Sequence, residues 1–146
     1  MADSTHYRKL ENMYLQANVN TMLFDTTTIQ ITEDHTEIGL TVAEKYFHGL
    51  GAIHGAVYFK LLDDAAFFAV SAKVTDVFVL TTSFNINMLR PVTEGKIRAV
   101  GRVRFQSRSM FVAEATAYNE AGKEIAFGSG NFVRSKRLLT PEIGYR

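Results

Sequence analysis

Residues 51–70 constrain the fold more than any other stretch of the chain. They run Gly51-Ala52-Ile53-His54-Gly55-Ala56-Val57-Tyr58-Phe59-Lys60 and then Leu61-Leu62-Asp63-Asp64-Ala65-Ala66-Phe67-Phe68-Ala69-Val70. This is a Gly/His turn feeding a helix, roughly 55–72, that is apolar on nearly every side. Such a helix is buried rather than laid on a surface, so the rest of the chain has to enclose it. Asp63 and Asp64 interrupt the apolar run nine and ten residues after His54. A buried carboxylate is costly unless it has partners or a task, and the pair therefore marks a candidate site.

What can enclose the helix is legible in the flanking segments. Residues 4–18 place Tyr7, Leu10, Met13, Tyr14 and Ala17 at helical spacing, with Asp3 or Ser4 as the cap. Thr26 to Thr32 is rich in Thr and Ile, which favours a strand. Thr36 to Val42 alternates Ile38, Leu40 and Val42 against Glu37, Gly39 and Thr41, and Glu33-Asp34-His35 supplies the hairpin turn between them. Residues 43–53 read as irregular. After the helix come four strand segments: Val77 to Leu89, closed by Pro91, then Lys96 to Gln106, Met110 to Asn119 and Glu124 to Arg134. In the first of these, Thr81 and Ser83 fall on one face and Thr82 on the other. The order is helix, two strands, long helix, four strands. This is an α+β layout in which one antiparallel sheet of about six strands curls around the central helix.

At 146 residues the chain is one domain, residues 1–146, with an N-terminal helical segment over 1–20 and a C-terminal tail over 136–146. It contains no cysteine, which excludes a disulfide scaffold, a cysteine nucleophile and thiolate metal sites. The net charge of +1 gives no footprint for nucleic acid. The first six residues carry no cationic segment leading into an apolar run, and no stretch is long enough to cross a bilayer. A cytoplasmic protein with neither nucleic-acid nor membrane partners is the expectation. The four histidines lack metal-ligand spacing, and no phosphate loop, Gly-x-Ser-x-Gly or dinucleotide fingerprint is present. No metal and no cofactor are expected.

Three motifs together resemble the hotdog-fold acyl-coenzyme A thioesterases, in particular the phenylacetyl-CoA and related aryl-acyl-CoA branch, over about residues 22–135. The first is His54-Gly55 followed nine residues later by Asp63, where the family has His-Gly-Gly and a carboxylate. The second is Asn87-Met88-Leu89-Arg90-Pro91, similar to the family's Asp/Asn-x-Leu-Arg-Pro strand end. The third is Gln106-Ser107-Arg108-Ser109, which resembles a basic turn near the coenzyme A phosphates. The resemblance implies a long central helix wrapped by a curved antiparallel sheet. It also implies a homodimer with active sites at the subunit interface, often doubled into a homotetramer.

The activity so implied is hydrolysis of an aryl-acyl or medium-chain acyl-CoA thioester, with coenzyme A entering only as part of the substrate. Asp63 is then the general base or the nucleophile, and burial in an apolar helix would make it a stronger base. Gly55 offers an amide at the helix start, where N–H groups lack helical acceptors, to polarise the carbonyl. His54 shapes or caps the turn. Thr81 corresponds to a hydroxyl that positions the attacking water from the neighbouring subunit, with Thr82 taking its place if the register slips by one. His48 stands about where many relatives carry the Asn or Gln of the preceding loop. Ala56 replaces the second glycine and narrows the pocket. Ser83, Arg90 and Arg108 complete the expected substrate-binding set, Arg because it suits phosphate geometry. Arg102 and Arg104 share a strand with that turn and could join its patch or face solvent. The alternatives are a hotdog dehydratase, or an acyl-CoA or acyl-carrier-protein binder without thioesterase activity. Dehydratases usually place a Glu on this helix, and the Asp after His-Gly favours hydrolysis.

Overall fold

A helix without a polar face needs a wall on most sides, and the chain supplies one from its own strands. The computed structural model describes residues 4–146. Helix α1 (Ser4–Gln16) and a π-helical turn (Val19–Leu23) precede strands β1 (Thr27–Ile31) and β2 (Thr36–Thr41). The apolar helix α2 (Gly55–Ser71) leads to β3 (Val77–Met88), β4 (Lys96–Gln106), β5 (Phe111–Tyr118) and β6 (Glu124–Leu138). The strands form one six-stranded sheet in the order β1-β2-β4-β5-β6-β3, antiparallel at every pairing. The expected fold, a long helix wrapped in a curved antiparallel sheet, is the one observed. Asp3, one of the two cap candidates, lies outside the described residues.

The sheet can wrap tightly because its inner face is made of small residues. Ala99, Ala113, Ala115, Ala117 and Ala126 are all buried there. At Gly101 the helix backbone lies against the sheet: a Cβ at that position would stand 2.2 Å from the Ala65 carbonyl oxygen. The helix matches the approach with Ala65 and Ala66, both fully buried. Larger side chains fill the flanks, among them Leu61, Leu62, Ile97, Phe111 and Phe132, each 1% exposed or less. Burying each contributes about 1.5–3 kcal/mol.

The two edges of the sheet differ. On β1, the Glu11 carboxylate accepts from the Ile31 N–H at 2.7 Å and Arg8 donates to the Ile31 carbonyl at 3.1 Å. Helix α1 thus supplies partners to that edge. Strand β3, twelve residues long, has no strand on its outer side among the described residues. Leu80, Met88 and the following Leu89 are all exposed there. A long apolar edge of this kind is a template for pairing with another chain.

Two readings from sequence are corrected, and a third, the irregular stretch 43–53, gains detail. Residues 43–53 are ordered: a 3-10 turn at Glu44–Tyr46 leads into a small hairpin bridged at Phe47 and Ile53. Gly51, at φ +82°, makes its turn. The supposed tail from residue 136 begins inside β6, which pairs as far as Leu138 with Val77, and Leu139, Ile143 and Tyr145 pack on the core. Alternation in β3 breaks at a bulge, where Thr81 faces Phe132 and Ser83 faces Asn131. Thr82 is the extra residue, and it resets the side-chain phase. Thr81 therefore points to the inner face with the buried Phe132, and Ser83 to the outer face.

The close approach at Gly101 gives a direct test. Gly101→Ala should destabilise the fold by about 1–3 kcal/mol, the range for overpacking, as measured by urea denaturation. Gly49→Ala, at a glycine with open space around it, should cost no more than about 0.5 kcal/mol.

Candidate active site

Asp63 lies midway along α2 and is part-buried. Its Oδ1 accepts a hydrogen bond from the Thr81 hydroxyl at 2.9 Å. Burial pushes the Asp63 carboxyl above its ordinary pKa. The Thr81 bond pulls it down, the Asp64 charge pushes it up, and Lys60 pulls it down, in decreasing order of effect. Thr81 keeps the inward phase of the buried Val79, two residues earlier on β3, and the bulge follows it. The resemblance placed this hydroxyl across a subunit interface, whereas the bond forms within one chain. A cavity of about 220 Å³ opens beside the pair. Phe67, Phe68, Phe78, Met13 and Tyr14 give it an apolar, largely aromatic wall. Asn20 also lines it; its amide nitrogen donates to the Tyr14 carbonyl at 2.7 Å.

Asp64 is turned toward α1. Its Oδ2 is salt-bridged to Lys60 and accepts from the Tyr14 hydroxyl at 2.8 Å. The Lys60 ammonium lies 5.0 Å from the ring centroids of both Tyr14 and Phe24. Lys60 was findable from sequence by its i,i+4 spacing to Asp64. Tyr14 and Asn20 were not singled out as site residues, and no local motif distinguishes them from ordinary helix-face residues.

The second half of the expected site sits at the start of the helix. His54 is the N-cap, and its Nδ1 accepts from the Ala56 N–H at 2.9 Å. The Val57 N–H bonds the His54 carbonyl at 2.9 Å. Gly55, as the first helical residue, has no helical acceptor for its N–H. It makes no other backbone bond among the described residues, so it is the amide left free to meet a ligand. A cavity of about 340 Å³ lies over it, lined by His48, Tyr58, Met88, Leu89 and Arg90 among others. The His48 ring stands 6.5 Å from that of His54, centroid to centroid, and its Nδ1 accepts from the Leu50 N–H. Arg90 donates to the Glu124 carbonyl at 2.5 Å.

The expected residues thus fall into separate groups. Asp63 and Thr81 share one cavity, and Gly55, His48 and Arg90 share the other. Within one helix Gly55 and Asp63 are eight residues apart, about 12 Å along the axis. Ala56 lines neither cavity, and its amide is taken by His54. Thr82 and Ser83 also line neither; the Thr82 hydroxyl donates to the Asn131 carbonyl at 3.1 Å. Arg108 is at the opposite end of the sheet from Arg90. Its carbonyl accepts from Arg134, ten residues along β6 from the Glu124 that holds Arg90, roughly 30 Å away. No group of three or more His, Asp or Glu side chains is arranged to hold a metal among the described residues.

The family model of the thioesterase superfamily matches residues 50–126, more than half of the chain and the stretch holding Gly55, Asp63, Thr81 and Arg90. The chain belongs to the thioesterase superfamily. Solved structures of the same fold include the E. coli PaaI protein from the phenylacetic acid degradation operon. That protein is 22% identical, with a TM-score of 0.82 over 96% of this chain and 100% of the other. A thioesterase family protein from Silicibacter pomeroyi is 24% identical, with a TM-score of 0.77 over 88% of this chain and 96% of that one. A thioesterase from Haemophilus influenzae is 21% identical, with a TM-score of 0.73 over 84% and 85%. No curated protein sequence matches. At these identities the structural likeness establishes the fold of this superfamily member and leaves its chemistry to be argued from its own residues.

The cap that exposes the Gly55 amide can be tested by stability. His54→Ala should cost about 1 kcal/mol in urea unfolding, as for loss of an N-cap, and His54→Asn should recover most of it.

Proposed function

We propose that this superfamily member hydrolyses an acyl-CoA thioester, with Asp63 as general base or nucleophile. The observation that carries the reading is the pairing of a part-buried, otherwise unneutralised carboxylate with a single positioning hydroxyl, beside an apolar cavity. Asp63 has no salt-bridge partner among the described residues, unlike its neighbour Asp64. Its raised proton affinity suits a group that must accept a proton near neutral pH. Thr81 orients that carboxylate. The departing thiolate is a good leaving group, so one acid and one amide donor suffice without a serine–histidine triad.

The amide donor is Gly55. Glycine lets the carbonyl oxygen approach the backbone, and the helix dipole adds to the polarisation. The separation of about 12 Å along one helix means that Asp63 and Gly55 of a single chain do not flank one carbonyl carbon. A second copy, paired along the open β3 edge, would bring its Gly55 to this chain's Asp63. The reading therefore includes a homodimer, alone or doubled into a tetramer. Arg90, beside the Gly55 cavity, would meet the coenzyme A phosphates. The aromatic wall beside Asp63 supports an aryl or medium-chain acyl group.

Asp63→Asn separates a catalytic from a structural role. The folded chain binds the Asp63 proton more tightly than the unfolded chain does, so ionising this group costs stability as pH rises, and the cost vanishes as pH falls. Removing the charge should leave stability at neutral pH unchanged or higher. Turnover of aryl-acyl- and medium-chain acyl-CoA substrates, followed by release of free thiol, should fall by about 100-fold or more. Retained turnover in a folded Asp63→Asn protein would exclude the mechanism. A wild-type protein that binds acyl-CoA but releases no thiol would instead be a binder.

A further inference from the structure

Asp64 is the group that the mechanism above leaves unused, and its surroundings are more elaborate than a surface carboxylate needs. It neighbours Asp63 on α2. Lys60, one turn earlier, is salt-bridged to it, and Tyr14 on α1 donates to the same oxygen at 2.8 Å. The side chains of Lys60 and Asp64 are only 11% and 18% exposed. All three line the cavity that also holds Asp63 and Thr81.

We propose that Asp64, clamped by Lys60 and Tyr14, is a positioning residue for Asp63 that keeps its neighbour an effective base. The proposal rests on the reading of Asp63 given above. Two adjacent carboxylates in a part-buried site repel, and each makes the other harder to ionise. Left alone, Asp64 would escape the repulsion by protonating. Burial pushes the Asp64 carboxyl above its ordinary value, and the Lys60 ammonium and the Tyr14 hydroxyl pull it back toward the charged form. The close ion pair with Lys60 holds its negative charge next to Asp63. The groups facing the pair are Lys60 and Asp63 from α2, Tyr14 from α1 and Thr81 from β3, with Tyr46 beyond Tyr14. Lys60 is the cation among them. At Asp63 the push from Asp64 exceeds the pull from Lys60, so the clamp makes Asp63 a stronger base than it would be with no charges there. The arrangement also makes α1 part of the site, because Tyr14 is its contribution.

The pH profile of kcat/KM tests this, with phenylacetyl-CoA and octanoyl-CoA as probes. In Asp64→Asn the repulsion is lost and Lys60 is unopposed, so the acid limb should move to lower pH by ~0.5 unit or more, about a threefold change in proton affinity. Should Asp64→Asn fold poorly, the double variant Asp64→Asn/Lys60→Met carries neither charge. Its acid limb should fall between those of Asp64→Asn and wild type. A merely structural role for Asp64 would lower stability without moving the limb, and an unmoved limb in either folded variant overturns the proposal. Asp63→Asn is measured in parallel. If it keeps turnover, the reading of Asp63 itself falls; if it loses turnover while the limb stays put in the Asp64 variants, only the positioning role falls.

Discussion

The contact between α2 and the small-residue floor of the sheet sets every other distance in this protein. With Gly101 against the Ala65 carbonyl and alanines on β4, β5 and β6 around it, the sheet closes on the helix and fixes its rotation. The rotation decides which carboxylate does what. Asp63 points to the inner turn of β3 and meets Thr81, while Asp64 points to α1 and meets Tyr14. A rotation of one residue, about 100° on a helix, would exchange their surroundings. Two chemically identical neighbours thus acquire different partners from packing alone.

The bulge at Thr82 is the second determinant. A regular strand carrying Val79 inward would also carry Thr81 and Ser83 inward, and would turn Phe84 to solvent. The extra residue keeps Thr81 inside and then brings Phe84 inside as well, where its ring packs against Phe59 and Phe132. The site hydroxyl and the core aromatic are both satisfied by one irregularity, as is common where a strand borders a site.

Much of this was legible in the sequence. The apolar run around Asp63 could only be a buried helix, and a buried helix followed by four alternating segments could only be wrapped. The His54-Gly55 start and the acid after it led to the two cavities along α2. What stayed hidden has specific causes. Alternation cannot show an inserted residue, so Ser83 was placed on the wrong face. The ladder beyond Arg134 looked like a charged tail because Lys136 and Arg137 lie on an exposed strand end. Tyr14 is about fifty residues from Asp64, and nothing local announces such a contact. Arg90 and Arg108 were both expected to bind substrate but stand far apart along β6, which only the strand register reveals.

In the proposed mechanism one helix carries the acid and the amide too far apart to use them together, so each working site takes its acid from one copy and its amide from another. Mixing two disabled variants tests this most directly. Gly55→Pro removes the free N–H at a helix position that accommodates proline, after a residue already extended as proline requires. Asp63→Asn removes the acid. Each alone should be inactive. Co-expressed, they should form mixed dimers with one intact site and recover about a quarter of wild-type thioesterase activity. No recovery from demonstrably mixed dimers would contradict a site shared between copies.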